Sequence, residues 1–279
     1  MPISVTAISG DALDARQIDS FDQLQYVAPG VTFGAGINAR QSSSTIRGIG
    51  TSLFNVGIEG SVAVAVDGVI LGREGAGLFD LSDVERVEVL RGPQGTLFGK
   101  NASAGVISIA TRNPTDEFEA DLRASYGSDD EINLSASVSG PLSDGINGRF
   151  SAYRNTRDGF VTNINPAAAQ RELNDREEYG LRGKLAFEVS DRLDVLVGVD
   201  YASRDQSSGA PTLRSPAVGG AGAGLLGTGF PAVGTFSALA GVNPGPENLQ
   251  VASEGDFIAD MESYGALVEA NYQLADHDL

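Results

Sequence analysis

The chain has 279 residues, with 19 lysines and arginines against 37 aspartates and glutamates, a net charge of −18. A surface this negative repels phosphate backbones, which excludes nucleic-acid binding by bulk charge. The lack of cysteine excludes disulfide frameworks, thiolate metal sites and cysteine nucleophiles, and one histidine, His277, leaves almost nothing for a catalytic triad or a multi-histidine metal site.

Ile3 to Ala7 alternates as a short strand. Ser20-Phe21-Asp22-Gln23 fits a capping box and predicts a helix that stops before Pro29-Gly30. Short β-type runs come next at 44–47, 61–66, 86–90 and 106–110, joined by glycine-rich segments. The run Val62-Ala63-Val64-Ala65-Val66 is apolar on both faces, as a covered central strand would be. A compact α+β unit accounts for this half. The composition breaks after Thr111-Arg112-Asn113-Pro114: residues 1–114 carry a net charge of −3 and residues 115–279 a net of −15. A domain boundary is expected there.

The second region alternates with period two. Six strands are predicted. They start at Glu119, Ile132, about Arg149, Tyr179, Leu193 and Tyr264, each apolar on one face and polar or charged on the other. A soluble sandwich and a membrane barrel both fit such strands. No apolar run approaches the ~20 residues of a membrane helix, so any membrane crossing falls to strands. Three features favour the barrel. Tyr126, Tyr179, Tyr201, Tyr264 and Tyr272 lie near strand ends, where an interfacial girdle needs them. Full charges stand at strand centres, which a sandwich core could not bury cheaply. Connections also divide into short turns at 140–145 and 190–192 and long loops elsewhere, with the short link at 127–130 an exception.

Several motifs fail their context tests. Gly222 to Gly227 and Gly34 to Ala39 carry glycine spacings of the dinucleotide-binding type without a strand–turn–helix setting. Gly95-Thr96-Leu97-Phe98-Gly99-Lys100-Asn101 is one residue short of a P-loop, and Asn101 stands where a hydroxyl should bind magnesium. His277 and the acid pairs Asp129-Asp130 and Glu177-Glu178 fit solvated surface. No catalytic residue, cofactor or metal site is expected.

The most specific segment lies between residues 45 and 112. It contains Thr45-Ile46-Arg47-Gly48-Ile49-Gly50, Val66-Asp67-Gly68-Val69, and the run from Val84 to Asn101 reading VERVEVLRGPQGTLFGKN. It closes with Ala104 to Arg112. This closely resembles the plug domain of TonB-dependent outer-membrane receptors, over residues 2 to 114 almost continuously. The resemblance implies an α+β plug domain followed by antiparallel β-strands of a transmembrane β-barrel, incomplete because only about six strands of a 22-stranded wall are present. It further implies the outer membrane of a Gram-negative bacterium, contact with outer-membrane lipid, energy coupling by the TonB protein, and a small-molecule ligand such as an iron complex. A ferric siderophore is the expected cargo, with cobalamin or a saccharide as alternatives.

The resemblance also implies that Arg47, Gly48, Arg91, Gly92 and Pro93 contact the barrel wall, the arginines pairing with carboxylates. The other reading is that both arginines staple plug turns together; the sequence leaves the two open. Arg40, Gln41, Phe54, Asn55, Arg73 and Glu74 would stand on plug apices that face substrate, or serve as ordinary loop residues. Relatives carry a signal peptide and TonB box upstream of a segment like Pro2 to Gly10, and a third short turn is expected at Leu279. The chain is therefore expected to be a fragment of a receptor. Two readings from other classes remain: a soluble ligand-binding module without transport, and a sensor-type receptor whose plug signals to gene expression.

Overall fold

The computed structural model describes residues 4–34, 43–51, 59–72, 80–207, 212, 241–242, 245–253 and 258–274. The N-terminal unit runs β1 (Ser4–Ser9), α1 (Gly10–Asp14), a 3-10 helix (Phe21–Tyr26), β2 (Val31–Gly34), β3 (Ser43–Ile46), β4 (Ile49–Gly50), β5 (Val62–Val66), β6 (Val69–Ile70), β7 (Val84–Arg91), α2 (Gly95–Phe98) and β8 (Gly105–Thr111). Its main sheet has the order β1-β7-β8-β5-β6, with β5 and β8 parallel. The strands β2, β3 and β4 form a small second sheet.

Alternation buries Val62, Val64, Val87, Val89, Ile107 and Ile109 against Leu13, Leu24 and Leu81 on one side. Ala63 and Val106 meet Ala102 on the other, so β5 is covered on both faces, as its unbroken apolar run requires. The capping box at Ser20 is present: Gln23 Oε1 accepts from the backbone N–H of Ser20 at 3.2 Å and of Asp19 at 2.8 Å. The expected helix is present over Phe21–Tyr26 and takes the 3-10 form. Six residues ahead of Pro29 are too few to repay α-helix nucleation, and short pieces commonly tighten this way.

The helix α1 has no counterpart among the elements expected from sequence. Ser9 Oγ caps it by accepting from Ala12 N at 3.3 Å. Gly10 lets it lie directly on β7, because an added Cβ would stand 2.0 Å from the Val84 carbonyl oxygen. Gly10→Ala is therefore expected to destabilise the N-terminal unit by about 3 kcal/mol or more, since backbone must move to relieve the overlap. Urea unfolding of the variant checks this.

The second region contributes β9 (Glu119–Tyr126), β10 (Ile132–Ser143), β11 (Ile146–Arg157), β12 (Val161–Asn163), β13 (Glu172–Leu173), β14 (Arg176–Ser190), β15 (Leu193–Asp205), β16 (Gln250–Val251) and β17 (Met261–Tyr272). Six of these form one antiparallel sheet in the order β17-β15-β14-β11-β10-β9. The register aligns Val138, Phe150, Gly183, Val199 and Ala266 in one row across it. One residue along each strand, Ser139, Arg149, Arg182 and Lys184 belong to the opposite, polar face.

The apolar face is open: Leu122 is 80% exposed and Val268 70%. Tyr126, Tyr179, Tyr201 and Tyr264 gather at one end of it, with the Tyr179 and Tyr201 rings 6.0 Å apart. Tyr272 marks the other end, opposite Leu193. At the tyrosine-rich end a small sheet β13-β12-β16 closes over Val161, Leu173, Val251 and Phe160.

Candidate functional site

The N-terminal unit meets the polar face of the six-stranded sheet along a seam of buried charges. Its centre is the segment Asp80 to Val84, which enters β7. Leu81 and Val84 point into the apolar core. Asp80 turns the chain by accepting from the backbone N–H of Ser82 at 2.8 Å and from the Ser82 hydroxyl, an arrangement that short acidic side chains favour. Alternate burial of apolar residues thus leaves Asp80 and Asp83 for the wall.

Arg149 of β11 grips Asp83. Its Nε lies 3.1 and 3.2 Å from the two carboxylate oxygens, and Nη2 lies 2.5 Å from Oδ1. Arg149 and Asp83 are both buried. Ser137 Oγ accepts from Nη2 at 3.3 Å, and Glu119 Oε2 lies 3.7 Å from Nη1. A forked guanidinium matched to a carboxylate in this way is among the stronger polar contacts a protein can make.

A second buried contact lies on β14. Lys184 Nζ sits 3.1 Å from Asp67 Oδ2 and donates to Thr111 O at 3.2 Å and Asn113 Oδ1 at 3.0 Å. Asp67 also accepts from the Thr111 N–H at 2.7 Å and hydroxyl at 2.6 Å. The geometry begins with the two-residue turn between β5 and β6, where Asp67 and Gly68 both take positive φ, 47° and 79°. That is the Asp-Gly hairpin turn expected of this dipeptide. Further along, Asn155 Nδ2 donates to Asp80 Oδ2 at 3.1 Å. Arg123 of β9 pairs with Asp14 and lies 3.4 Å from the Ser82 carbonyl.

Behind Asp80 stands Glu178, fully buried, whose Oε2 lies 2.6 Å from both Nε and Nη2 of Arg204. Burial, with a smaller contribution from the Glu178 charge, pushes the Asp80 carboxyl up to about 6, against the hydrogen bonds of Ser82 and Asn155. The folded chain therefore keeps a proton that the unfolded chain releases near pH 3.8. Stability from this group is full below that pH and falls as pH rises through about 6, by about 3 kcal/mol in all. Asp80→Asn is expected to remove that slope, measured as urea unfolding at pH 4 to 7.

The residues singled out from sequence fall elsewhere. Arg91 donates from Nη1 to Thr6 Oγ1 at 2.7 Å and from Nη2 to Pro29 O at 2.8 Å. Both bonds tie turns and strands within the N-terminal unit. Gly92 takes φ 95° and its N–H donates to Ala104 O, while Pro93 is exposed. Arg47 is exposed at φ 55°, next to Gly48 at φ 75°. Arg40, Gln41, Phe54, Asn55, Arg73 and Glu74 lie outside the described residues, as do His277 and Gly222 to Gly227. The P-loop-like run forms the short α2, and among the described residues no group of His, Asp or Glu is arranged to hold a metal.

The seam residues Asp67, Asp83, Arg149 and Lys184 were not singled out from sequence. Their signal was present in part: Asp67 leads an Asp-Gly turn, and Arg149 and Lys184 are full charges within alternating strands.

Comparison with known proteins identifies the arrangement. The family model for the TonB-dependent receptor plug domain matches residues 1–106. The pesticin receptor of Yersinia enterocolitica is 32% identical over 174 residues, covering 61% of this chain and 25% of that protein. An iron-regulated outer membrane virulence protein of Vibrio cholerae is 30% identical over 223 residues, covering 75% of this chain and 32% of that protein. In fold, the crystal structure of the ferric yersiniabactin uptake receptor FyuA from Yersinia pestis superposes with a TM-score of 0.77 at 23% identity, over 98% of this chain and 39% of that one. Residues 1–106 belong to the plug domain of the TonB-dependent receptors, and the chain as a whole has their fold, a plug domain followed by antiparallel strands like those of the receptor barrels. These relatives are receptors and transporters, not enzymes. The chain spans about a quarter to a third of the length of the two curated relatives.

Proposed function

We propose that this chain supplies the plug and part of the wall of a receptor that takes up a scarce, bulky nutrient across the outer membrane, with a ferric siderophore or similar iron complex as cargo. The observation that supports this best is the seam itself. The unit of residues 1–114 rests on the wall of residues 115–279 through ion pairs and hydrogen bonds, Arg149 with Asp83 and Lys184 with Asp67 foremost. A charged seam can open into water without exposing an apolar core, as a plug that must yield to cargo requires.

A pulling path is also present. β1 pairs along its whole length with β7, from Ser4 opposite Arg91 to Ser9 opposite Arg86, and β7 begins beside Asp83. Force applied by TonB upstream of β1 would reach the seam through this ladder. Arg40, Gln41, Phe54, Asn55, Arg73 and Glu74 are proposed to meet cargo. Arg47, Gly48, Arg91, Gly92 and Pro93 are proposed to meet wall strands other than those described.

The test is uptake. Cells that lack their own iron-complex receptors and express the gene carrying this chain should accumulate radioiron from a ferric siderophore, and lose that uptake when tonB is deleted. Uptake of labelled cobalamin or a saccharide in place of iron would move the cargo and keep the class. A chain that unfolds cooperatively in detergent-free buffer and supports no uptake would favour a soluble binding module. The exposed apolar face instead predicts aggregation there and recovery in detergent.

A further inference from the structure

The apolar face of the sheet is not uniform. Gly140 and Gly148 face each other across β10 and β11, and Gly183 stands one row away, opposite Phe150 and Val199. All three take outward positions, where neighbouring strands carry valine, leucine or phenylalanine. Phe118 lies over Gly140 and Leu142 over Gly148, and between them and the bare Gly183 is a depression of about 590 Å³, lined by Phe118, Val138, Leu142, Phe150, Leu185 and Val199. That size lies in the range of small-molecule sites. Leu142 leans over one end, its Cδ1 2.7 Å from where a Gly148 Cβ would be.

We propose that this notch holds one acyl chain of a membrane phospholipid. The proposal rests on the reading of this sheet as a membrane wall. The notch is continuous with the apolar belt and lies toward the short-turn end, away from the cluster of four tyrosines. Gly148 is three residues from Gly145 in the β10–β11 turn, or roughly 10 Å at strand rise, which places the notch at acyl depth below the headgroups of that leaflet. Its lining is apolar side chain over bare backbone, which suits a flexible hydrocarbon and offers nothing to a polar ligand. A second copy of the chain would need a knob to fill the notch, whereas a lipid tail adapts to it.

The test uses the protein in phospholipid vesicles containing a phospholipid with a mid-chain diazirine. Crosslinked peptides are then mapped. Gly183→Leu fills the notch with little risk to the fold, since an added Cβ there meets only Val199 Cγ2, at 3.8 Å. Label is expected to concentrate several-fold on residues 138–150 and 181–199 over the rest of the belt, and to fall to belt level in the variant. Even labelling of all six strands, or enrichment unchanged by Gly183→Leu, would overturn the site while keeping the membrane wall. Chain-to-chain crosslinks at these peptides would assign the notch to a second copy and also overturn it. Absence of label from every strand would remove the membrane wall and the notch together.

Discussion

Arg149→Met is expected to cost about 3–5 kcal/mol of stability. The side chain is nearly isosteric in its stem, so packing is kept while the guanidinium is lost. Asp83 then stays buried without the cation that holds both its oxygens. Among the described residues no other cation lies within 4 Å of Asp83: Lys184, which stands opposite Arg149 on β14, is paired with Asp67. The penalty is therefore that of an uncompensated buried carboxylate, not the smaller net worth of the pair. Asp83→Asn combined with Arg149→Met should recover much of the loss, because a neutral pair of similar shape leaves no bare charge. Urea unfolding in detergent, followed by circular dichroism, gives both numbers.

The second large effect is expected at Lys184 and Asp67, and it is asymmetric. Lys184→Met leaves Asp67 with two hydrogen bonds from Thr111, so the expected cost is about 2 kcal/mol. Asp67→Asn leaves a buried ammonium with neutral groups only, the Thr111 carbonyl, the Asn113 amide oxygen and the new amide, in place of a carboxylate, and about 3–5 kcal/mol is expected. Asparagine tolerates the positive φ at this turn, so backbone strain does not confuse the comparison. A double-mutant cycle over the four chains measures the coupling. Equal single effects, or additive ones, would mean that the two groups do not share a buried contact.

The strands were legible because period two survives any tertiary context that keeps one face apolar. The alternation starting at Glu119 predicted β9 to the residue, and the Val62 to Val66 run marked a strand covered on both sides. Strand ends were less visible. β14 begins at Arg176 and not at Tyr179, and β15 continues to Asp205, because ladder hydrogen bonds persist beyond the apolar belt where side chains turn polar. The small sheet of β12, β13 and β16 gave no signal, since Thr162 pairs with Gln250 across a long loop. The seam was hidden for the same reason. Arg149 is 66 residues from Asp83, and no local period links a wall cation to its carboxylate. Arg91 stood out in a distinctive motif, and its bonds to Thr6 and Pro29 serve the unit that carries the motif.

The absence of cysteine makes a labelling scan straightforward. Single cysteines placed in turn from Tyr179 to Phe187 on β14, each carrying a nitroxide, can be read in vesicles for collision with oxygen and with a water-soluble nickel chelate. Positions 179, 181, 183, 185 and 187 should be open to oxygen and closed to nickel, as lipid-facing sites are. Position 184, under Asp67, should be immobile and closed to both, provided the plug is seated. Nickel access at the outward positions would contradict the membrane wall. Free motion and nickel access at 184 would contradict the seam.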